Sequence, residues 1–175
     1  IKIAKKYKCK FIKTGHNNTG TDRISEAAQK IKNKYDLYID IQGDEPLLDP
    51  RHIDKVIEFH SKNLNFDIVV PSLQSSNIDT PHIVKIAKSG KKILYFSRAL
   101  IPFPFNKKQR YYYKHLSVIS FVPESLMKFK KLKQSSLEKI EGIELMRALE
   151  NNMKLGTFNL KGSSFSVDTK DDFLK

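Results

Sequence analysis

Apolar residues along this chain switch repeatedly between a period of two and a period of three to four, the signature of strands alternating with helices. Ile1, Ile3, Ala4 and Tyr7 read as helix, and the alternation across 8–12 as a strand. The polar loop Thr14-Gly15-His16-Asn17-Asn18-Thr19-Gly20 then leads to a helix capped by Thr21 or Asp22, with Ile24, Ala27, Ala28 and Ile31 on one face. The run Leu37–Ile41 predicts a strand, and Asp49-Pro50 starts a helix carrying Ile53, Val56, Ile57 and His60. Strands are predicted at 67–71 and 83–87, the second joined through Ser89-Gly90 to a partner at 92–96. Pro102 and Pro104 keep Ile101–Phe105 irregular. Residues 111–121 read as one long strand, and Pro123 opens a short helix. Ser135-Ser136-Leu137-Glu138 is a capping box for a helix running to about Asn151. A last strand near 157–160 precedes Ser166-Val167-Asp168, and Thr169-Lys170-Asp171-Asp172 is a second capping box. The alternation predicts an α/β fold with a largely parallel sheet, in one domain spanning 1–175.

Within that frame the stretch Gln42-Gly43-Asp44-Glu45-Pro46 stands at the carboxyl end of a predicted strand, the edge where open α/β sheets bind ligands. Gly43 permits close approach of a ligand to the backbone, and Pro46 ends the strand. Read alone, the five residues also fit a tight turn with two solvated acids. Asp168 is a second acid at a strand end, directly before a predicted helix. There it is either favoured by the helix dipole or converges with Asp44 on a hard divalent cation such as Mg²⁺. Thr19-Gly20-Thr21-Asp22-Arg23 offers amides, hydroxyls and an arginine at a helix start, which fits an anion or nucleotide cradle as well as an ordinary cap. No Walker loop, dinucleotide fingerprint, zinc-spaced histidine pair or nucleophile elbow is present.

Composition narrows the picture further. A formal charge of +13 on 175 residues invites a nucleic-acid-binding reading, whose mark would be steeply salt-dependent binding. Only five of the 32 basic residues are arginine, the residue that reads base edges and phosphates in bidentate fashion, so nucleic acid is not the expected partner. An acidic small-molecule substrate suits the same field. No apolar run approaches the ~20 residues of a membrane span. The single cysteine, Cys9, excludes an internal disulfide and suits the cytoplasm. The chain opens on Ile1 within a helical pattern and ends within another, which reads as a piece of a longer protein.

The motifs acquire their greatest specificity as an ordered series. Gly20-Thr21-Asp22-Arg23, Gln42-Gly43-Asp44-Glu45-Pro46 and Tyr95-Phe96-Ser97-Arg98-Ala99-x-Ile101-Pro102 are followed by His115-Leu116. Then come Leu137-Glu138-x-Ile140-Glu141 with Arg147-Ala148-Leu149-Glu150, and Val167-Asp168-Thr169-x-x-Asp172. In this the chain resembles the 3-deoxy-manno-octulosonate (Kdo) cytidylyltransferase, or CMP-Kdo synthetase, family over essentially its whole length.

The resemblance implies a Rossmann-like, three-layer nucleotide-diphospho-sugar transferase fold around a mixed, mostly parallel sheet. It implies transfer of CMP from CTP to the hydroxyl of Kdo with release of pyrophosphate, for lipopolysaccharide biosynthesis. Asp44 and Asp168 would hold Mg²⁺ and serve catalysis, with Gly20, Thr21, Arg23 and Gln42 near the nucleotide. Arg98, His115 and Glu144 would contact the sugar acid, and residues 98–151 would carry the homodimer contact and part of the sugar site. The family's first strand and its basic R-x-x-S-x-R-L-P-G-K loop are not in this sequence. The resemblance therefore implies a fragment, truncated at both ends and inactive alone. Ile119 and Leu145 stand where the family usually has tyrosine and glutamine, which points to a variant octulosonic or sialic-acid-like acceptor as the alternative, or to a non-catalytic homologue.

Overall fold

A computed structural model describes residues 1–76, 78–162, 164–167 and 170–174. The helices α1 (Lys2–Lys6), α2 (Gly20–Gln29) and α3 (Pro50–Ser61) flank the first strand, β1 (Tyr38–Ile41). Next come β2 (Ile68–Val69), β3 (Ser72–Ser75), β4 (Lys85–Ser89), β5 (Lys92–Ser97), β6 (Tyr112–His115) and β7 (Val118–Phe121). Then follow α4 (Pro123–Lys131), α5 (Ser136–Glu141), α6 (Met146–Glu150), β8 (Leu155–Gly156), β9 (Asn159–Leu160) and α7 (Lys170–Phe173).

Among the described residues the strands form one sheet in the order β1-β7-β2-β8-β5-β4-β6-β3-β9. The mostly parallel pairing expected from the alternation is not what forms. Only β2 with β8 and β3 with β9 run parallel, and the other six ladders are antiparallel. The reason is insertion: β7 enters between β1 and β2 and runs antiparallel to both, displacing the direct pairing that the intervening α3 would allow.

Each face of the sheet has its own core, as strand alternation requires. Ile119 and Phe121 of β7 point to the side covered by α2, α4 and α6, with Ala28, Leu126, Phe129, Met146 and Ala148. Val118 points to the side covered by α3, with Val56 and Leu73. These are the three layers expected.

Four other departures bear on the site. Residues 8–12 form no strand: Lys10, Phe11 and Ile12 lie instead along a groove with Ile24 and Ala27 of α2 and with Ile31 just beyond it, and an unpaired strand leaves its amides without ladder partners. Helix α2 is capped by Thr19, ahead of both expected positions, Thr21 and Asp22, with the Thr19 hydroxyl accepting from the Asp22 amide. The long strand expected at 111–121 breaks at Leu116-Ser117 into β6 and β7, which pair with different neighbours. The long helix expected from Ser135 stops at Gly142, whose φ of 62° is left-handed, and resumes at Met146. That break turns Glu144 and Leu145 out of any helix and towards the sheet edge.

Candidate functional site

The Gln42–Pro46 loop leaves the end of β1 as sequence reasoning expects. The Gln42 amide donates to the Ser117 carbonyl at 3.2 Å, and Asp49 then caps α3. A β-carbon on Gly43 would meet nothing within 4 Å, so the fold itself makes no demand for glycine there. Beside this loop lies a cleft of about 680 Å³. Gln42 and Asp44 line it from the loop, His115 and Ile119 from the sheet, Arg98 from the end of β5, and Glu144 and Leu145 from the break between α5 and α6. Five of the expected site residues thus meet in one cavity from widely separated parts of the chain.

Three others stand differently. Gly20 and Thr21 open α2, where the Thr21 amide donates to Glu144 Oε2 at 3.0 Å, and a β-carbon on Gly20 would lie 3.7 Å from Glu144 Oε1. The anion in this cradle is the protein's own carboxylate, the stable partner for a helix N-terminus. Arg23 does not reach the cleft. It lies two residues, about 200°, further round the helix, and lines the separate groove with Phe11 and Ile24. Asp168 lies outside the described residues.

Arg98 is more than a cleft-facing cation. Its Nε donates to the Glu141 carbonyl (2.7 Å), its Nη1 to that of Pro81 (2.6 Å) and its Nη2 to that of Gly142 (3.2 Å). Three of the five guanidinium N–H groups hold two segments together, and the other two have no partner among the described residues. Buried Lys85 reinforces the junction by donating to the Thr80 and Arg98 carbonyls, and burial lowers its pKa. His115 packs edge-on against Phe96 and is pushed down to about 4 by burial and by Lys114. It is neutral at pH 7, a hydrogen-bonding group and no counter-charge for a carboxylate.

The acidic side holds a residue the sequence reading passed over. Asp40 stands opposite Ile119 in the β1–β7 ladder and is 7% exposed, with Oδ2 lacking a partner among the described residues. Burial first, then the Glu144 and Asp44 carboxylates, push its pKa up to about 7 against the pull of the Gln42 side chain. Its place in an otherwise apolar strand, on the face of Tyr38, was the available signal. Glu45, Lys114 and Ser166 also line the cleft, each from a position whose motif meaning was absent or unassigned. The Val167 amide donates to the Asp44 carbonyl at 2.8 Å, so the segment that runs into Asp168 is tied to the loop that bears Asp44.

Known proteins share this arrangement. A solved CMP:2-keto-3-deoxy-manno-octonic acid synthetase complexed with CTP superposes with a TM-score of 0.90 at 26% identity, over 99% of this chain and 73% of that one. The inositol-1-phosphate CTP transferase from T. maritima shares the fold alone, at a TM-score of 0.62 and 14% identity. Fold and cleft therefore define a nucleotidyltransferase of Rossmann-like architecture. The cytidylyltransferase family profile matches residues 2–155. The 3-deoxy-manno-octulosonate cytidylyltransferase of Rickettsia canadensis (strain McKiel) is 39% identical over 99% of this chain and 72% of its own length. That of Rickettsia prowazekii (strain Madrid E) is 38% identical over 99% and 71%. The chain belongs to the cytidylyltransferase family, in its 3-deoxy-manno-octulosonate branch.

Proposed function

We propose that this chain carries the cytidylyl-transfer site of an enzyme that activates Kdo with CTP. The observation that carries the reading is the meeting of Gln42, Asp44, Arg98 and His115 in one cleft, in a chain 39% identical to an enzyme named for this reaction. In the reaction the sugar-acid hydroxyl oxygen bonds to the α-phosphorus of CTP. The bond from that phosphorus to the oxygen bridging the β-phosphate breaks, and pyrophosphate departs with the electron pair. The hydroxyl proton passes to solvent.

The two remaining N–H groups of Arg98 suit the sugar acid's carboxylate. Neutral His115 orients a hydroxyl. Lys114 and Lys139 add positive charge to the cleft lining, where the phosphates and the acid accumulate negative charge. Among the described residues no group of three or more His, Cys, Asp or Glu is placed to hold a metal ion alone. Mg²⁺ characteristically takes one or two carboxylates together with substrate oxygens. Asp44 would take that role together with Asp168, and the buried oxygens of Asp40 and Glu45 that have no partner among the described residues suit a region that receives a cation. When bound, the metal supplies Lewis acidity and lowers the pKa of the attacking hydroxyl.

The enzyme acts as a homodimer in the cytoplasm on this reading. Phe103, Phe105 and Ile140 support the dimer, being 79%, 85% and 75% exposed within or beside the 98–151 segment. Among the described residues no helix is long and apolar enough to cross a membrane. A second acceptor is favoured by one observation: Ile119 and Leu145, both apolar, form part of the cleft wall. An acceptor that carries an apolar group, such as the acyl methyl of a sialic-acid-like acid, would suit that wall better than a hydroxyl that needs a partner there.

The test is pyrophosphate release by the intact protein from CTP and Mg²⁺ with a panel of 2-keto sugar acids. Release that depends on Kdo supports the reading. Release with a sialic-acid-like acid alone selects the second acceptor, and no release with any acid overturns both.

A further inference from the structure

Glu45 touches neither substrate nor metal in the chemistry above, yet its surroundings are unusual. It is 4% exposed beside exposed Asp44. A carboxylate so buried is costly unless its oxygens are satisfied. Oε1 accepts from the Ser166 hydroxyl at 3.4 Å, and Oε2 has no partner among the described residues. Ser166 belongs to the segment 164–167, which has no helix or strand of its own and forms one lip of the cleft. Further bonds reach that segment from two sides. The Val167 amide donates to the Asp44 carbonyl (2.8 Å), and the Lys114 ammonium donates to the Ser164 hydroxyl (2.7 Å). The segment is thus fastened from the loop that carries Asp44 on one side and from β6 on the other. A backbone bond from an irregular segment survives only while its neighbours hold the segment still.

We propose that Glu45 is a positioning residue, whose carboxylate clasps Ser166 so that the 164–167 segment and the Asp44 loop form one wall of the cleft. Its effect on turnover rests on the cytidylyl-transfer reading; the clasp itself does not.

The test is a double-mutant cycle of Glu45→Ala and Ser166→Ala in the intact protein, read first by amide hydrogen exchange at Val167 without nucleotide or metal. Ser166→Ala removes only a hydroxyl and guards against misfolding of the Glu45 variant. Each single change is expected to speed exchange at Val167 roughly tenfold, the value of one modest hydrogen bond. The double variant should be no faster than either single, and the β7 amides should be unaffected. Glu45→Gln, which keeps an acceptor oxygen for Ser166, should restore slow exchange. In turnover, kcat/KM for pyrophosphate release should fall about tenfold in both alanine variants. Unchanged exchange in the alanine variants, or additive effects in the cycle, would overturn the clasp. A coupled cycle in a protein that releases no pyrophosphate would uphold the clasp and defeat the functional reading instead.

Discussion

Two clusters of buried charge lie a short way apart in this molecule and are treated in opposite ways. Under α2, Arg147 is 1% exposed and pairs with Glu138 at 2.6 Å and Asp22 at 2.9 Å, while its guanidinium rests 4.5 Å from the Phe129 ring centroid. Burial alone would lower the Arg147 pKa, but the bonds from Glu138 and Asp22 hold it above its ordinary value. Beside the cleft, Asp40 and Glu45 are almost as deeply buried, yet each keeps an oxygen with no partner among the described residues. The first cluster is closed and joins α2, α5 and α6. The second is left short of positive charge among the described residues. Saturated charge marks where the fold is pinned, and unsaturated charge marks where a ligand is expected.

The largest way to break this contrast is to open the closed cluster. Arg147→Met leaves Asp22 and Glu138 buried without a cation and is expected to cost about 3–5 kcal/mol. Denaturant unfolding measures it, and a loss under about 1 kcal/mol would place the pair's worth at surface level. The reverse change sharpens the contrast. The folded pKa of Asp40 is raised from 3.8 to about 7. Its ionisation therefore opposes folding, and the stability it leaves intact at pH 4 is lost as pH rises through about 7. Asp40→Asn removes that loss: stability at pH 4 should be unchanged, and at pH 8 in chelator it should rise by up to about 4 kcal/mol. A parallel pair of stability–pH curves would contradict it. A smaller effect tests the break that delivers Glu144 to the cleft. Gly142→Ala meets no clash, its nearest neighbour being Arg98 at 3.7 Å, but must adopt a φ of 62°. It should cost about 1 kcal/mol in thermal unfolding.

Local signals carried much of the fold into view. The Asp49-Pro50 start of α3, the Ser135–Glu138 box and the hairpin turn at Gly90 all form where the residues predict. Hydrogen-bond partners of this kind lie within a few residues of one another. Pairing between distant segments was not legible. Nothing within residues 118–121 says that they lie between β1 and β2, so the sheet's direction was misjudged. Gly142 reads as a residue inside a helix because the apolar pattern continues past it, yet it stops α5 in the left-handed conformation, with Arg98, 44 positions away, donating to its carbonyl. The cleft was legible where a strand end announced it, at Gln42 and Asp44. Arg23 was carried along with its motif, although helix geometry turns it to the other groove. Asp40 was hidden because an acid in a strand is ordinarily solvated, whereas here β7 pairs beside it and the Glu144 carboxylate bears on it, both far along the chain.

The most direct measurement compares Asp44→Asn with the unchanged protein in two readouts: pyrophosphate release from CTP and Kdo in the presence of Mg²⁺, and the melting temperature. Asp44 is exposed, so on the proposed reading the loss of its carboxylate charge should fall on the ligand rather than on the fold. Turnover should fall roughly a thousandfold, as loss of several kcal/mol of metal-assisted stabilisation requires, while melting shifts by no more than about 2 °C. Turnover kept within a few-fold of the unchanged protein would contradict the assignment of this cleft to cytidylyl transfer through Asp44.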